Sequence, residues 1–326
     1  MITLERVSKQ FSNGRCAPRE LDLEIEDGEI TVLIGPSGCG KTTTLRLINR
    51  LVEPTAGRVV IDGKDVAGID PVALRRGIGY VIQQVGLFPH LTIGANVATI
   101  PRLLGWNRAR QQERIGELLQ LVGLEPSVYR DRYPHELSGG QQQRVGVARA
   151  LGADPPLLLM DEPFGALDPI TRGRLQEELL TIQAGVRKTI VFVTHDIDEA
   201  VRLGDHIVIL GEDGTLAQHA TARELLANPA SPFVESFVGA DRGLLLLSVT
   251  PIERANLEPL QPSDERAPTL DIKAPIAEAF ALMVLHSTER IVVVDSASGE
   301  QLGVLTADAI ARRRSPRDAR ETGERG

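Results

Sequence analysis

Ile30-Thr31-Val32-Leu33-Ile34-Gly35-Pro36-Ser37-Gly38-Cys39-Gly40-Lys41-Thr42 is the stretch from which the rest of the chain is read. Ile30 to Ile34 is a near-continuous apolar run, which reads as a buried strand running into a loop at Gly35. Thr43 to Leu51 then reads as a helix. Between the two, Gly35 to Thr42 fits G-x-x-x-x-G-K-[ST] in the strand–loop–helix context that this pattern requires. The glycines let successive backbone N–H groups turn inward around phosphates, and the following helix N-terminus adds partial positive charge. Gly35, Pro36, Ser37, Gly38, Cys39 and Gly40 are therefore expected to cradle a nucleoside triphosphate, with Thr43 just behind them. Lys41 is expected at the β- and γ-phosphates, and the Thr42 hydroxyl on Mg²⁺.

Outward from this loop, short β-rich runs alternate with helical patterns. Leu21, Leu23 and Ile25 alternate with charged residues, as in a half-buried strand. Val59 to Ile61, Leu157 to Met160, Ile190 to Val193 and Ile207 to Leu210 are further apolar runs, most of them separated by helical stretches. This order implies an α/β fold with a largely parallel sheet covered on both faces. Between Pro101 and Asp154 no comparable run occurs, and Arg108 to Leu121 has helical spacing, so about 88–155 reads as a helical subdomain.

Composition bounds the rest. A length of 326 residues suggests two domains. The net charge of −8 argues against nucleic acid as the main partner, since phosphate binding needs a basic face. No apolar run nears the ~20 residues needed to span a bilayer, and Met1 to Glu5 shows no secretory signal. Cys16 and Cys39 make no disulfide framework, which fits a reducing compartment. The expectation is a cytoplasmic protein that meets a membrane only through a partner.

Two further patterns carry chemistry. Leu157-Leu-Leu-Met160-Asp161-Glu162 places two carboxylates at the end of a buried strand. With the phosphate loop upstream, they are expected beside it in the parallel sheet, Asp161 linked to Mg²⁺ and Glu162 as the base that orients or activates water. Leu137-Ser138-Gly139-Gly140-Gln141 leads into the helical run Gln142 to Leu151 and makes a second anion-binding helix start. A chain with one phosphate loop has no evident use for it on its own. The economical reading is that it caps the γ-phosphate of ATP held by another copy. A Ser-capped helix start would explain Ser138 but not the paired glycines.

On these residues the sequence resembles the nucleotide-binding subunits of ABC transporters, over about Met1 to Gly239. The resemblance implies an ABC cassette with a mainly parallel core sheet, an antiparallel β part and a helical subdomain. It also implies a head-to-tail homodimer sandwiching two ATP molecules between each phosphate loop and the opposite Ser138 to Gln141. By the same match Phe11 stacks on adenine, and Gln83, in Tyr80-Val-Ile-Gln-Gln84, contacts Mg²⁺ and senses the membrane partner, with Gln84 as the neighbouring alternative. Asp168, in Gly165-Ala-Leu-Asp168, is implied to communicate between the two sites in trans. His195, in Val193-Thr-His-Asp196, is implied at the γ-phosphate.

Arg46-Leu-Ile-Asn-Arg50, Arg75 to Gln83 and Gly152-Ala-Asp-Pro-Pro156 look like the branch that imports glycine betaine, choline or carnitine. That branch implies integral membrane permease subunits as partners, an extracytoplasmic solute-binding protein behind them, and a place on the cytoplasmic face of the membrane. Beyond a cassette spanning 1–240, residues 241–268 are rich in Pro, Glu and Arg and read as a linker or the remnant of a module. Residues 269–312 resemble a single small α+β CBS-like module: a helix Ile276 to His286, a strand Arg290 to Asp295, a turn and a strand Gln301 to Leu305. Gly303-Val-Leu-Thr306 ends that motif, but Ala309 stands where an Asp is usual and Asp308 comes one position early. The departure favours a structural or dimerising role over ligand binding. Residues 313–326 are charged and read as a disordered tail. Two rival readings are an ABC protein of translation or DNA repair, which would carry paired cassettes or a coiled-coil insertion, and a P-loop kinase, which would have no use for Leu137 to Gln141.

Overall fold

The computed structural model describes residues 1–83, 86–165 and 167–312. Gln84 and the charged tail 313–326 lie outside the described residues. The chain divides into two units, 1–237 and 238–326.

The strands of the first unit, in chain order, are β1 (Ile2–Ser8), β2 (Leu21–Ile25), β3 (Ile30–Ile34), β4 (Ala56–Ile61), β5 (Lys64–Asp65), β6 (Ile78–Val81), β7 (Leu157–Asp161), β8 (Thr189–Val193), β9 (His206–Leu210) and β10 (Leu216–Ala220). They form two sheets. One is antiparallel, in the order β2-β1-β4-β5. Here Leu21, Leu23 and Ile25 point inward and Asp22 and Glu24 outward, which is the alternation a one-sided sheet demands. The other sheet runs β10-β9-β3-β8-β7-β6 and is parallel except for β10. β3, β7 and β8 are buried at every position, so their apolar runs have no exposed face to mark with polar residues. Both sheets share one core: Leu4, Leu23 and Val59 pack in the same cluster as Leu33, Leu159 and Val191, with Leu45 and Ile48 of the helix Lys41–Ile48.

Between β6 and β7 the chain is helical, through Ile93–Val97, Thr99–Leu103, Arg108–Leu121, Pro126–Tyr129 and Gly139–Ala150. The side chains of Thr92, Asn107 and Ser138 each accept a backbone N–H at a helix start. Among the described residues no helix is long and apolar enough to cross a membrane.

In the second unit β11 (Thr269–Asp271), the helix Ile276–His286, β12 (Arg290–Asp295) and β13 (Glu300–Thr306) make a βαββ element. β11 runs parallel to β12, and β13 antiparallel to it. Ile276, Ala279, Met283, Ile291, Val293 and Leu305 form its core, joined by Ile252. Residues 251–268 are irregular yet bonded to this element. Glu258 exchanges both backbone hydrogen bonds with Val304, at 2.8 and 2.9 Å. Arg290 donates to both oxygens of Asp264, at 2.7 and 3.1 Å, and to Glu258 at 3.2 Å. That fork holds the Asp264 carboxyl below the usual carboxylate range.

Gly303 is required by this approach. Its φ is 147°, and a Cβ there would lie 2.8 Å from the Glu258 carbonyl oxygen and 2.9 Å from Leu257 Cβ. Gly303→Val is therefore expected to destabilise the second unit by about 1–3 kcal/mol. Faster hydrogen exchange at the β12 and β13 amides is the readout, and unchanged protection there would count against the close approach.

Candidate nucleotide site

Four adjacent strands, β6-β7-β8-β3, deliver the candidate residues at their carboxyl ends. Gln83 follows β6, Asp161 ends β7 and Glu162 comes directly after it, His195 follows β8, and the phosphate loop follows β3. Ligands of open α/β sheets sit outside such edges. The carboxylates were expected beside the phosphate loop, and β8 intervenes between their strands. The side chains nevertheless meet: Thr42 Oγ1 donates to Asp161 Oδ1 at 2.9 Å. Asp161 is buried, and burial pushes its carboxyl above the ordinary range, with Thr42's hydrogen bond opposing and Glu162's charge reinforcing.

Glu162 has a φ of 48°, a left-handed conformation costly for a residue with a side chain. Its N–H donates to the Val193 carbonyl at 2.9 Å, which pins the turn to β8. The carboxylate accepts from Gln83 Nε2 at 3.0 Å and lies 3.4 Å from His195 Nδ1. Two side chains, one from each strand flanking β7, thus converge on one acid. A carboxylate so held can take a proton from water in a fixed direction.

Lys41 is buried, and its Nζ donates to the carbonyls of Gly35 and Pro36 at 2.7 and 3.0 Å. Burial pushes the neighbouring Cys39 thiol up despite the Lys41 charge. The helix Lys41–Ile48 begins at Gly40 with no side-chain cap. Its first N–H groups are left for an anion. Phe11 lies on a turn with its ring exposed, as a stacking role needs.

Among the described residues, Ser138 to Gln141 and Asp168 make no hydrogen bond to this cluster. Ser138 Oγ accepts the Gln141 N–H at 3.3 Å, and Gln141 Oε1 accepts the Ser138 N–H at 2.9 Å, a reciprocal cap. Gln141 Nε2 also donates to the Tyr129 hydroxyl at 3.1 Å. Among the described residues, none of these bonds reaches the phosphate loop. A Cβ on Gly139 would meet nothing within 4 Å, so packing inside the chain does not explain that glycine. Asp168 caps the helix Pro169–Val186 through the Thr171 N–H at 3.0 Å, a bond that holds its carboxyl below the usual range.

Two residues near the site went unread in the sequence. Arg172, one turn after Asp168, lies 3.7 Å from Asp196, the neighbour of His195. Its spacing from Asp168 was the available signal. Arg15 donates to the Gly38 carbonyl in the phosphate loop, and no motif marks it.

The family description "ABC transporter" matches residues 18–165. The chain is 53% identical to the glycine betaine/carnitine/choline transport ATP-binding protein OpuCA of Bacillus subtilis, over 90% of this chain and 76% of that protein. It is 46% identical to the glycine betaine uptake system ATP-binding protein YehX of Escherichia coli, over 94% of this chain and 97% of that protein. Among solved structures, the dimeric bacterial ABC transporter cassette MJ0796 superposes with a TM-score of 0.64 at 38% identity, covering 68% of this chain and 99% of that one. A cassette fold, an uncapped phosphate loop and this degree of identity agree: the chain belongs to the ABC transporter family of ATP-binding, ATP-hydrolysing subunits.

Proposed function

We propose that this chain hydrolyses ATP to drive import of a quaternary-amine osmoprotectant such as glycine betaine, choline or carnitine, working as a head-to-tail homodimer. The observation that carries the pairing is the glycine-rich start of the helix Gly139–Ala150, which among the described residues is bonded within its own subdomain and leaves open space at Gly139. In a head-to-tail pair Ser138, Gly139, Gly140 and Gln141 of one copy would close on the γ-phosphate of ATP lying on Gly35 to Thr43 of the other, with Asp168 beside the joint. Phe11 would hold the adenine.

The donor set suits a hard cation. Thr42 Oγ1, the Asp161 carboxylate and the Gln83 side-chain oxygen are all oxygens, and Mg²⁺ takes its remaining ligands from phosphate and water. Asp161 is buried, and among the described residues no cationic side chain is hydrogen-bonded to it, which fits the same role. When bound there, Mg²⁺ would offset charge on the β- and γ-phosphate oxygens. Glu162 takes a proton from the attacking water as the new P–O bond forms and the bond to the ADP oxygen breaks. Gln83 and His195 orient Glu162, and His195 faces the γ-phosphate.

The partners in this reading are permease subunits on the cytoplasmic face of the membrane, served by an extracytoplasmic solute-binding protein; nucleic acid has no part. The second unit reads as a single CBS-like module with a structural or dimerising role. Its Thr306 hydroxyl is engaged by Glu258 at 3.2 Å and by the Ala309 N–H at 3.2 Å, within its own chain. Affinity capture from detergent-solubilised membranes is expected to recover an integral membrane protein, and deletion of the chain to abolish uptake of labelled glycine betaine, choline or carnitine. Capture of no membrane protein would sink transport. Loss of uptake of some other solute alone would sink the osmoprotectant assignment.

A further inference from the structure

We propose that Arg15 is a nucleotide-binding residue whose guanidinium holds the α- and β-phosphates of ATP from the exposed side of the phosphate loop. The inference rests on the ATPase reading above and adds a residue to its site.

The turn geometry places the side chain. Phe11 N–H donates to the Arg15 carbonyl at 2.8 Å, Gly14 N–H donates to the Phe11 carbonyl at 3.0 Å, and Gln10 pairs with Cys16 as an antiparallel bridge. Phe11 and Arg15 are therefore opposite residues of a short hairpin, with side chains on one face about 5 Å apart. One is an exposed aromatic and the other an exposed cation.

The chain then lies along the phosphate loop. Arg15 Nη2 donates to the Gly38 carbonyl, and a Cβ on Gly38 would lie only 2.0 Å from that nitrogen. Three residues on, Pro18 N would lie 2.8 Å from a Cβ on Gly40. Only glycine at 38 and 40 admits this segment so close to the loop.

Charge decides the role. A guanidinium has five N–H donors in a planar fork, and the bond to Gly38 uses one. Lys41 is buried, its amine bonded to the Gly35 and Pro36 carbonyls, whereas Arg15 is an exposed cation against the same loop. With adenine stacked on Phe11, the phosphates nearest the base fall beside the residue opposite Phe11. The γ-phosphate, where Lys41, Glu162 and His195 gather, lies further along the loop.

A neutral alternative is that Arg15 only clamps Gly38. Arg15→Gln removes the charge, and Arg15→Lys restores it on a side chain of nearly the parent's reach. Fluorescent ATP and ADP analogues would be titrated into the full-length wild-type, Arg15→Gln and Arg15→Lys proteins, alongside steady-state ATPase measurements. The expected result for Arg15→Gln is a roughly tenfold or greater rise in Kd for both nucleotides, the size expected for a lost charge-assisted hydrogen bond. KM should rise in parallel while kcat falls less than twofold, and Arg15→Lys should recover part of the affinity. Wild-type affinity in Arg15→Gln would overturn the proposal in favour of the clamp. Weakened ATP with unchanged ADP would overturn the α,β assignment in favour of the γ-phosphate. Failure of the wild-type protein itself to bind ATP would instead sink the ATPase reading.

Discussion

Glu162→Gln is expected to lower ATP turnover about 10²–10⁴-fold while ATP binding is retained. The amide that replaces the carboxylate has nearly the same shape. It keeps the left-handed turn after β7 and can still accept from Gln83 Nε2, which lies 3.0 Å from Oε2 in the parent. It cannot take a proton from water. The residues expected to bind the nucleotide, from Phe11 to Thr43, are untouched. ATP held without hydrolysis should keep two copies together, so the variant is expected to run as a dimer in size-exclusion chromatography with saturating Mg²⁺ and ATP. A monomer under those conditions would contradict the sandwich arrangement. Turnover near that of the parent would remove Glu162 from the role of base.

Ser138→Arg carries the second large effect. Losing the hydroxyl that accepts the Gln141 N–H should cost the helix about 1 kcal/mol. The larger consequence lies outside the chain. A long side chain at the glycine-rich helix start would obstruct the surface that a second copy's γ-phosphate must reach. Hydrolysis is expected to fall by at least about 10²-fold, comparable to removal of donors aimed at developing charge. ATP affinity of the isolated subunit should stay unchanged, because Ser138 makes no hydrogen bond to the phosphate loop. Equal turnover in the variant would strip the Ser138 to Gln141 segment of its mechanistic role.

How much could be read without coordinates depended on whether a feature was local. Gly35 to Thr42 is a backbone device set by glycines and a following helix, and its context lay within twenty residues. The helix Ile276–His286 and strand Arg290–Asp295 were equally legible, because periodicity and an apolar run are short-range signals. Strand order was not local. Nothing along the chain indicates that β8 inserts between β3 and β7, and that insertion brings His195 to Glu162. Nor could alternation alone tell that Leu21–Ile25 joins the antiparallel sheet and not the parallel one. Arg15 was invisible for a related reason: both β2 and β3 lie between it and Gly38, and a single arginine in a polar turn looks like any solvated cation. Residues 251–268 lack periodicity, so nothing in them announces Glu258 against Val304 or Asp264 under Arg290.

That last pairing bears on how the second unit can be moved or trimmed. A cut at 269, where β11 begins, would leave β13 with a bare hydrogen-bonding edge at Val304. Arg290, only partly exposed, would lose both of its acidic partners. An unpaired edge invites association with other strands, and a half-buried cation without its acids is costly. Transplanting the βαββ element onto another protein therefore calls for a segment starting before Pro251, and the Pro-rich stretch travels as part of the folded piece.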